Sequence, residues 1–224
     1  MNATDLFLLH HENFHNSESS WSSLFAYQIL DASREGTAFR IPVFVYRETQ
    51  DRWYFEEQKN GLLLPPQLDF SSVIIEGKLR TGCIPGMRDP LPMKFNDLRP
   101  DITLLLGSSV ALVETKTVGA RITQKEQLYF DLCEWLIGQG ISAKAYILLS
   151  AGHQPDSDVS GLTDTRWKEP PTLILWEQFF KSIEQQVRDP LLSRLIPNLK
   201  QYYEPEEGYL RSNIAQPVDA ANRR

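Results

Sequence analysis

Cysteine, long apolar runs and a basic surplus are what this sequence has least of. Its two cysteines, Cys83 in a Gly/Pro-rich stretch and Cys133 in a helical pattern, make neither a disulfide framework nor a Cys-rich zinc site. No apolar run approaches the roughly 18 residues a membrane span requires. Runs such as Ile102–Leu106 and Val110–Val113 are strand-sized. There are 23 Lys+Arg against 29 Asp+Glu, a formal charge of −6, which counts against a protein that grips nucleic acid without sequence preference. No internal repeat or low-complexity tract points to a solenoid or fibrous chain. Met1-Asn-Ala-Thr-Asp5 lacks the basic start of a secretory signal, and Leu6–Leu9 runs straight into His10, His11 and Glu12. A cytoplasmic protein with no membrane contact is expected.

What is present suits a globule. With 224 residues, 42% of them hydrophobic, the chain can bury a substantial core without covalent help. Residues 18–32 read as a helix, with Trp21, Leu24, Phe25 and Ile29 at helical spacing. Phe39–Tyr46 and Arg52–Phe55, around the polar Arg47–Asp51, read as a hairpin that ends near Leu62–Gln67. Val73–Ile75 is strand-like, and Thr81–Pro92, with two Gly and three Pro, is loop. Asp101–Leu106 and Val110–Lys116 are apolar on both faces, as strands in the middle of a covered sheet are. Thr123-Gln-Lys-Glu126 has capping-box spacing and opens a helix to about Gly138. Ala143–Leu149 and Thr172–Leu175 are strands, Trp176–Val187 a helix, and Leu191–Tyr203 a last helix before a polar tail. This order describes an α/β or α+β sandwich around a mixed sheet. One domain over 1–190, with a hairpin insertion near 39–67, is expected to precede a C-terminal helix and tail over 191–224.

The chemistry lies in Arg99-Pro-Asp101 through Glu114-Thr-Lys116. Glu114 and Lys116, two apart on one strand, share a face. With Gly107-Ser108 as a two-residue turn, Asp101 falls opposite Glu114; with Ser108-Ser109 it falls opposite Lys116. A three-residue loop would reverse the facing. Two carboxylates on neighbouring strands, within roughly 5 Å, repel unless a cation sits between them. Hard oxygen donors of this kind suit Mg²⁺ or Mn²⁺, and the adjacent Lys116 can orient water or stabilise charge on a phosphate. The bland alternative is an exposed carboxylate pair salt-bridged to Lys116.

Pro100-Asp101, a 12-residue gap and Glu114-Thr115-Lys116 resemble the signature of the PD-(D/E)XK nuclease superfamily, which has a restriction-endonuclease-like fold. The context resembles it too: Asp begins one strand, Glu-x-Lys ends the next, and a helix follows. The resemblance spans roughly residues 10–185, with its specific positions around the proposed site. It implies a mixed β-sheet flanked by helices, with Asp101 and Glu114 as metal ligands, Mg²⁺ or Mn²⁺ as cofactor and Lys116 acting on the attacking water. Gln127, followed by Leu128, is similar to the family's helix glutamine, with Gln124 as the competing choice. Glu18, in Glu18-Ser-Ser-Trp-Ser22, resembles the family's first-helix carboxylate, although Trp21 stands where a His is usual; Glu12 is the alternative.

Lys78, Arg80, Arg88, Lys94 and Arg99, against Asp89 and Asp97, give a local +3, and Arg121 and Lys125 extend this basic rim. Lys78, Arg80, Arg99, Arg121 and Lys125 are therefore expected phosphate contacts. Two patterns compete. His11-Glu-Asn-Phe-His15 is formally a zinc-peptidase motif, but it lacks an evident third ligand. Glu76-Gly-Lys78 is a second Glu-x-Lys, read as lying on a neighbouring strand. The expected function is a Mg²⁺-dependent phosphodiesterase, a DNA endonuclease of a restriction, repair or anti-phage system, with RNA still open as substrate. The acidic body calls for a partner protein or homo-oligomer to help hold DNA. The alternative is a nuclease-fold binding or assembly module.

Overall fold

A computed structural model of the chain describes residues 18–34, 36, 38–48, 53–68, 70–80, 82–116, 122, 124–149, 170–186 and 214–215. Its elements in chain order are α1 (Glu18–Arg34), β1 (Phe39–Ile41), β2 (Phe44–Glu48), β3 (Trp53–Glu57), β4 (Leu62–Leu64), β5 (Val73–Ile75), β6 (Ile102–Leu106), β7 (Ser109–Thr115), α2 (Gln124–Gly138), β8 (Ser142–Leu149), β9 (Thr172–Leu175), α3 (Trp176–Gln186) and β10 (Ile214–Ala215). Eight strands form one mixed sheet in the order β10-β3-β2-β9-β8-β7-β6-β5, and β1 pairs with β4 in a separate ribbon.

The sheet is covered on both faces. On one side lie α1 and α3. Trp21, Leu24, Phe25 and Ile29, spaced by three and four, form a buried stripe. They meet Trp176, Phe179, Phe180 and Ile183 over Ile102, Leu104, Ala111, Val113 and Leu148 of the sheet. Phe25 and Phe179 pack with centroids 4.5 Å apart. The opposite face, carrying Val110, Leu112 and Ala145, takes Tyr129, Leu132 and Leu136 of α2 together with Leu79, Ile84, Leu91, Phe95 and Leu98 from the long connection before β6. That connection is irregular but not solvated throughout, because its spaced apolar residues complete the second layer.

β7 and β8 are parallel and joined through α2, so both are buried on two faces and read as continuous apolar runs. The hairpin predicted over 39–55 is divided. Pro42, with no N–H to give a ladder, separates β1, which pairs with β4, from β2, which pairs with β3. β2 also pairs with β9, so the hairpin continues the main sheet and puts Phe55 in its core. The expected helix over 191–203 and most of the tail lie outside the described residues. No helix among the described residues is long and apolar enough to cross a membrane.

Candidate active site

The β6–β7 register follows from the turn. Leu106 pairs with Ser109 and Ile102 with Val113, which leaves Gly107-Ser108 as the two-residue connection. Gly107 has φ +67°, the left-handed backbone that a tight hairpin turn of this kind demands and that glycine adopts without strain. One step beyond Ile102 and Val113, the same register sets Asp101 across from Glu114. Of the two registers open from the sequence, the structure adopts the one that opposes the acids.

Pairing stops there because Asp101 intervenes with its side chain. Its Oδ2 accepts the backbone N–H of Thr115 at 2.7 Å. On the other edge of β7 the ladder to β8 runs one residue further, with the Lys116 N–H donating to the Leu148 carbonyl at 2.7 Å. The chain carrying Glu114 and Lys116 is thus fixed from both sides. Thr115, pointing to the opposite face, accepts a buried 2.8 Å hydrogen bond from the Ser22 hydroxyl of α1.

Glu114 and Lys116 are both buried, at 3% and 7% exposure. The Lys116 ammonium lies 3.2 Å from Glu114 Oε1 and 2.8 Å from Glu126 Oε1. Glu126, only 1% exposed, is therefore α2's contribution to the site. Its position after Thr123 suggested a capping role, but its carboxylate goes to Lys116. A signal was available in the sequence: Glu126, Tyr129, Cys133 and Leu136 share a helix face, so an acid heads an apolar stripe. An acid so placed is buried and requires a partner.

Tyr129 is the second residue that sequence reasoning missed. Its hydroxyl donates to the Arg99 carbonyl at 3.0 Å, tying α2 to the chain just before Asp101. Burial first, then the carboxylates of Glu114, Asp101 and Glu126, push its phenol well above the usual tyrosine range. Tyr129 therefore stands as a neutral donor amid three acids.

Gln127 donates from Nε2 to Asp131 Oδ1 at 3.0 Å, one turn along α2, and its Oε1 is buried with no hydrogen-bond partner among the described residues. With Phe130 and Glu134 it lines a pocket of about 250 Å³ toward β8. α2 thus brings Glu126, and not Gln127, to Lys116. Glu18 opens α1, but its side chain and those of Gln124 and Lys125 lie outside the description, as do Arg121, Glu12 and the His11–His15 pattern. Next to Glu18, the Ser19 hydroxyl donates to Glu76 Oε1. The Glu76 N–H donates to the Asp101 carbonyl at 2.8 Å, so the start of α1 meets the strand ends beside Asp101. Lys78 pairs with Asp97 at 2.8 Å, holding the Asp97 carboxyl below its ordinary range. Arg80 and Arg99 are exposed.

No family model, curated protein or solved structure matches the chain.

Asp101, Glu114 and Glu126 carry three negative charges against the one positive charge of Lys116, a formal −2. Concentrating net charge where solvent is largely excluded is costly, and a divalent cation would neutralise this set. Mg²⁺ is bound through one or two carboxylates and several waters rather than by an all-protein cage. Asp101 and Glu114 supply such a pair, so the donor set fits. Among the described residues no three His, Cys, Asp or Glu come together as a group that could hold a metal ion.

Proposed function

We propose that this protein is a metal-dependent nuclease with a restriction-endonuclease-like core, hydrolysing phosphodiester bonds in DNA. The observation that carries the reading is the juxtaposition of Asp101 and Glu114 across neighbouring strands, with the buried Lys116 ammonium 3.2 Å from Glu114. The surrounding architecture supports it: Asp101 precedes β6, Glu-x-Lys closes β7, α2 follows, and helices flank the mixed sheet on both faces.

In this reading Asp101 and Glu114 hold Mg²⁺ or Mn²⁺, which supplies Lewis acidity and an acidified water. Asp101 is oriented by the Thr115 N–H, which fixes its carboxylate beside the strand that carries Glu114 and Lys116. Lys116 places a fixed positive charge beside the ligand pair, where it orients the attacking water and stabilises charge developing on the phosphate. Tyr129, through its hydrogen bond to the Arg99 carbonyl, anchors the chain just before Asp101 beside the acid cluster. Glu18, at the start of α1, is a further carboxylate of the site, and Arg80, Arg99, Arg121 and Lys125 contact phosphates; Lys78 joins them by releasing Asp97.

Because the body is acidic, DNA is held weakly by the chain alone at physiological salt, and a partner protein or second copy supplies additional contacts. A second reading, an assembly module with little activity of its own, is favoured by one observation. Phe70 and Ile75, 67% and 42% exposed, sit at the open β5 edge of the sheet.

The test is incubation of supercoiled plasmid, linear duplex, single-stranded DNA and RNA with the protein and Mg²⁺ or Mn²⁺. Cleavage by the wild type that disappears in Lys116→Ala and Asp101→Ala is expected. Cleavage that persists in both variants would refute the assigned site, and an inert wild type that is also inert with its genomic neighbours favours the assembly reading.

A further inference from the structure

We infer that Glu126 is the positioning residue of Lys116, holding its ammonium in place while Glu114 turns its oxygens to a divalent ion. The inference rests on the metal-dependent reading and adds to it a residue that the Asp, Glu-x-Lys spacing does not contain.

Geometry carries it. Glu126 is 1% exposed in the first turn of α2, and its Oε1 lies closer to Lys116 Nζ, at 2.8 Å, than Glu114 Oε1 does at 3.2 Å. Lys116 has its backbone pinned to Leu148 at the end of β7, so its side chain bridges strand and helix. Removing one partner from a buried charge is strongly unfavourable. An ammonium shared by two carboxylates can give up one and stay paired. Glu114 is the partner expected to leave, because it faces Asp101; Glu126 is the one that stays.

Without Glu126 the ammonium loses its nearer carboxylate, leans more on Glu114 and competes with the ion for the same oxygens. It also loses the anchor that fixes its position once Glu114 is engaged. Ion affinity and hydrolysis should therefore fall together in a Glu126 variant, and both effects should pass through Lys116.

The experiment is a double-mutant cycle on the full chain, read by the loss of the free Mn²⁺ spin-resonance signal in the absence of nucleic acid. The proteins are wild type, Glu126→Gln, Lys116→Ala and the double variant. Glu126→Gln is expected to weaken Mn²⁺ binding by about 10–100-fold, the usual cost of losing a group that orients a metal's surroundings. In the Lys116→Ala background the same substitution should leave the affinity unchanged. Wild-type affinity in Glu126→Gln would overturn the inference, and so would an equal loss in both backgrounds, because Glu126 would then act on the ion directly. Circular dichroism checks folding. If Glu126→Gln fails to fold, Glu126→Asp replaces it, with a smaller loss expected and no loss as the contradicting result. A cycle that behaves as expected in a protein that cleaves nothing would sustain the positioning role and sink the hydrolytic reading. Full cleavage by Glu126→Gln alongside an active wild type would do the reverse.

Discussion

The carboxylate of Asp101 takes the backbone N–H of Thr115 at 2.7 Å, so the side chain that starts one strand also ends the pairing of the next. This gives Asp101 a structural task separable from the metal-binding one proposed for it. Asp101→Asn keeps an acceptor oxygen for Thr115 and removes the charge. It should fold with a melting temperature near that of the wild type and lose Mg²⁺-dependent cleavage. Asp101→Ala should lose cleavage equally, and it should also cost about 1–3 kcal/mol by leaving that N–H without its acceptor. Chemical denaturation of the two variants, set beside their activities, separates the roles. Equal stability of Asn and Ala variants would deny the hydrogen bond any structural weight.

Two threonines on opposite faces of the β6–β7 hairpin should answer the same substitution with opposite signs. Thr115 accepts the buried Ser22 hydroxyl at 2.8 Å, and Thr115→Val strands that hydroxyl at a cost of about 1–3 kcal/mol. Thr103 is buried, and among the described residues its Oγ1 has no hydrogen-bond partner. Thr103→Val removes a desolvated hydroxyl at nearly constant volume and should raise stability by up to about 1–3 kcal/mol. Urea titrations of both variants check the pair, and destabilisation by Thr103→Val would contradict the assignment.

Cys133 should be inert as a thiol at neutral pH. Burial pushes it up from 9.0 to about 12, so almost no thiolate forms in the folded protein. Iodoacetamide followed by mass spectrometry should label the half-buried Cys83 first and Cys133 only on unfolding. The same shift has a stability consequence. Below about pH 9 the thiol is protonated in both folded and unfolded chains, and its contribution is fully present. Between about 9 and 12 only the unfolded chain releases the proton, so stability falls as pH rises through that window. Cys133→Val should flatten part of that alkaline decline, measured by thermal unfolding across pH. Tyr129 and Tyr146, both raised mainly by burial, account for a further part.

Elements whose residues were set by burial were legible from the sequence. Val73–Ile75 and Thr172–Leu175 are strands with the bounds their β-branched and apolar residues suggest, and α1 buries its predicted stripe. Turn chemistry narrowed the β6–β7 register to two choices, which differ by one residue in where the hairpin reverses. Pairing between distant segments was not legible. Nothing local in Phe39–Ile41 says that it pairs with Leu62–Leu64 while Phe44–Glu48 turns to Thr172 and Leu173. Within the candidate site, the meeting of Asp101, Glu114 and Lys116 was legible because they lie on adjoining strands of one hairpin. Glu126 was hidden, since its spacing from Thr123 matches a helix cap and only the β7–α2 packing decides which partner its carboxylate takes. Gln127 sits one residue round the helix and faces Asp131 instead.

In the proposed function, Asp101 and Glu114 hold a divalent ion that this chain uses to break phosphodiester bonds. The most direct measurement is nicking of supercoiled plasmid by wild type and Glu114→Gln, each in Mg²⁺ and in excess chelator. Relaxed and linear products are then expected only for the wild type with Mg²⁺, at a rate at least about a hundredfold above the variant, the scale on which removing such charge stabilisation acts. Equal nicking by Glu114→Gln, or nicking that survives the chelator, would contradict it.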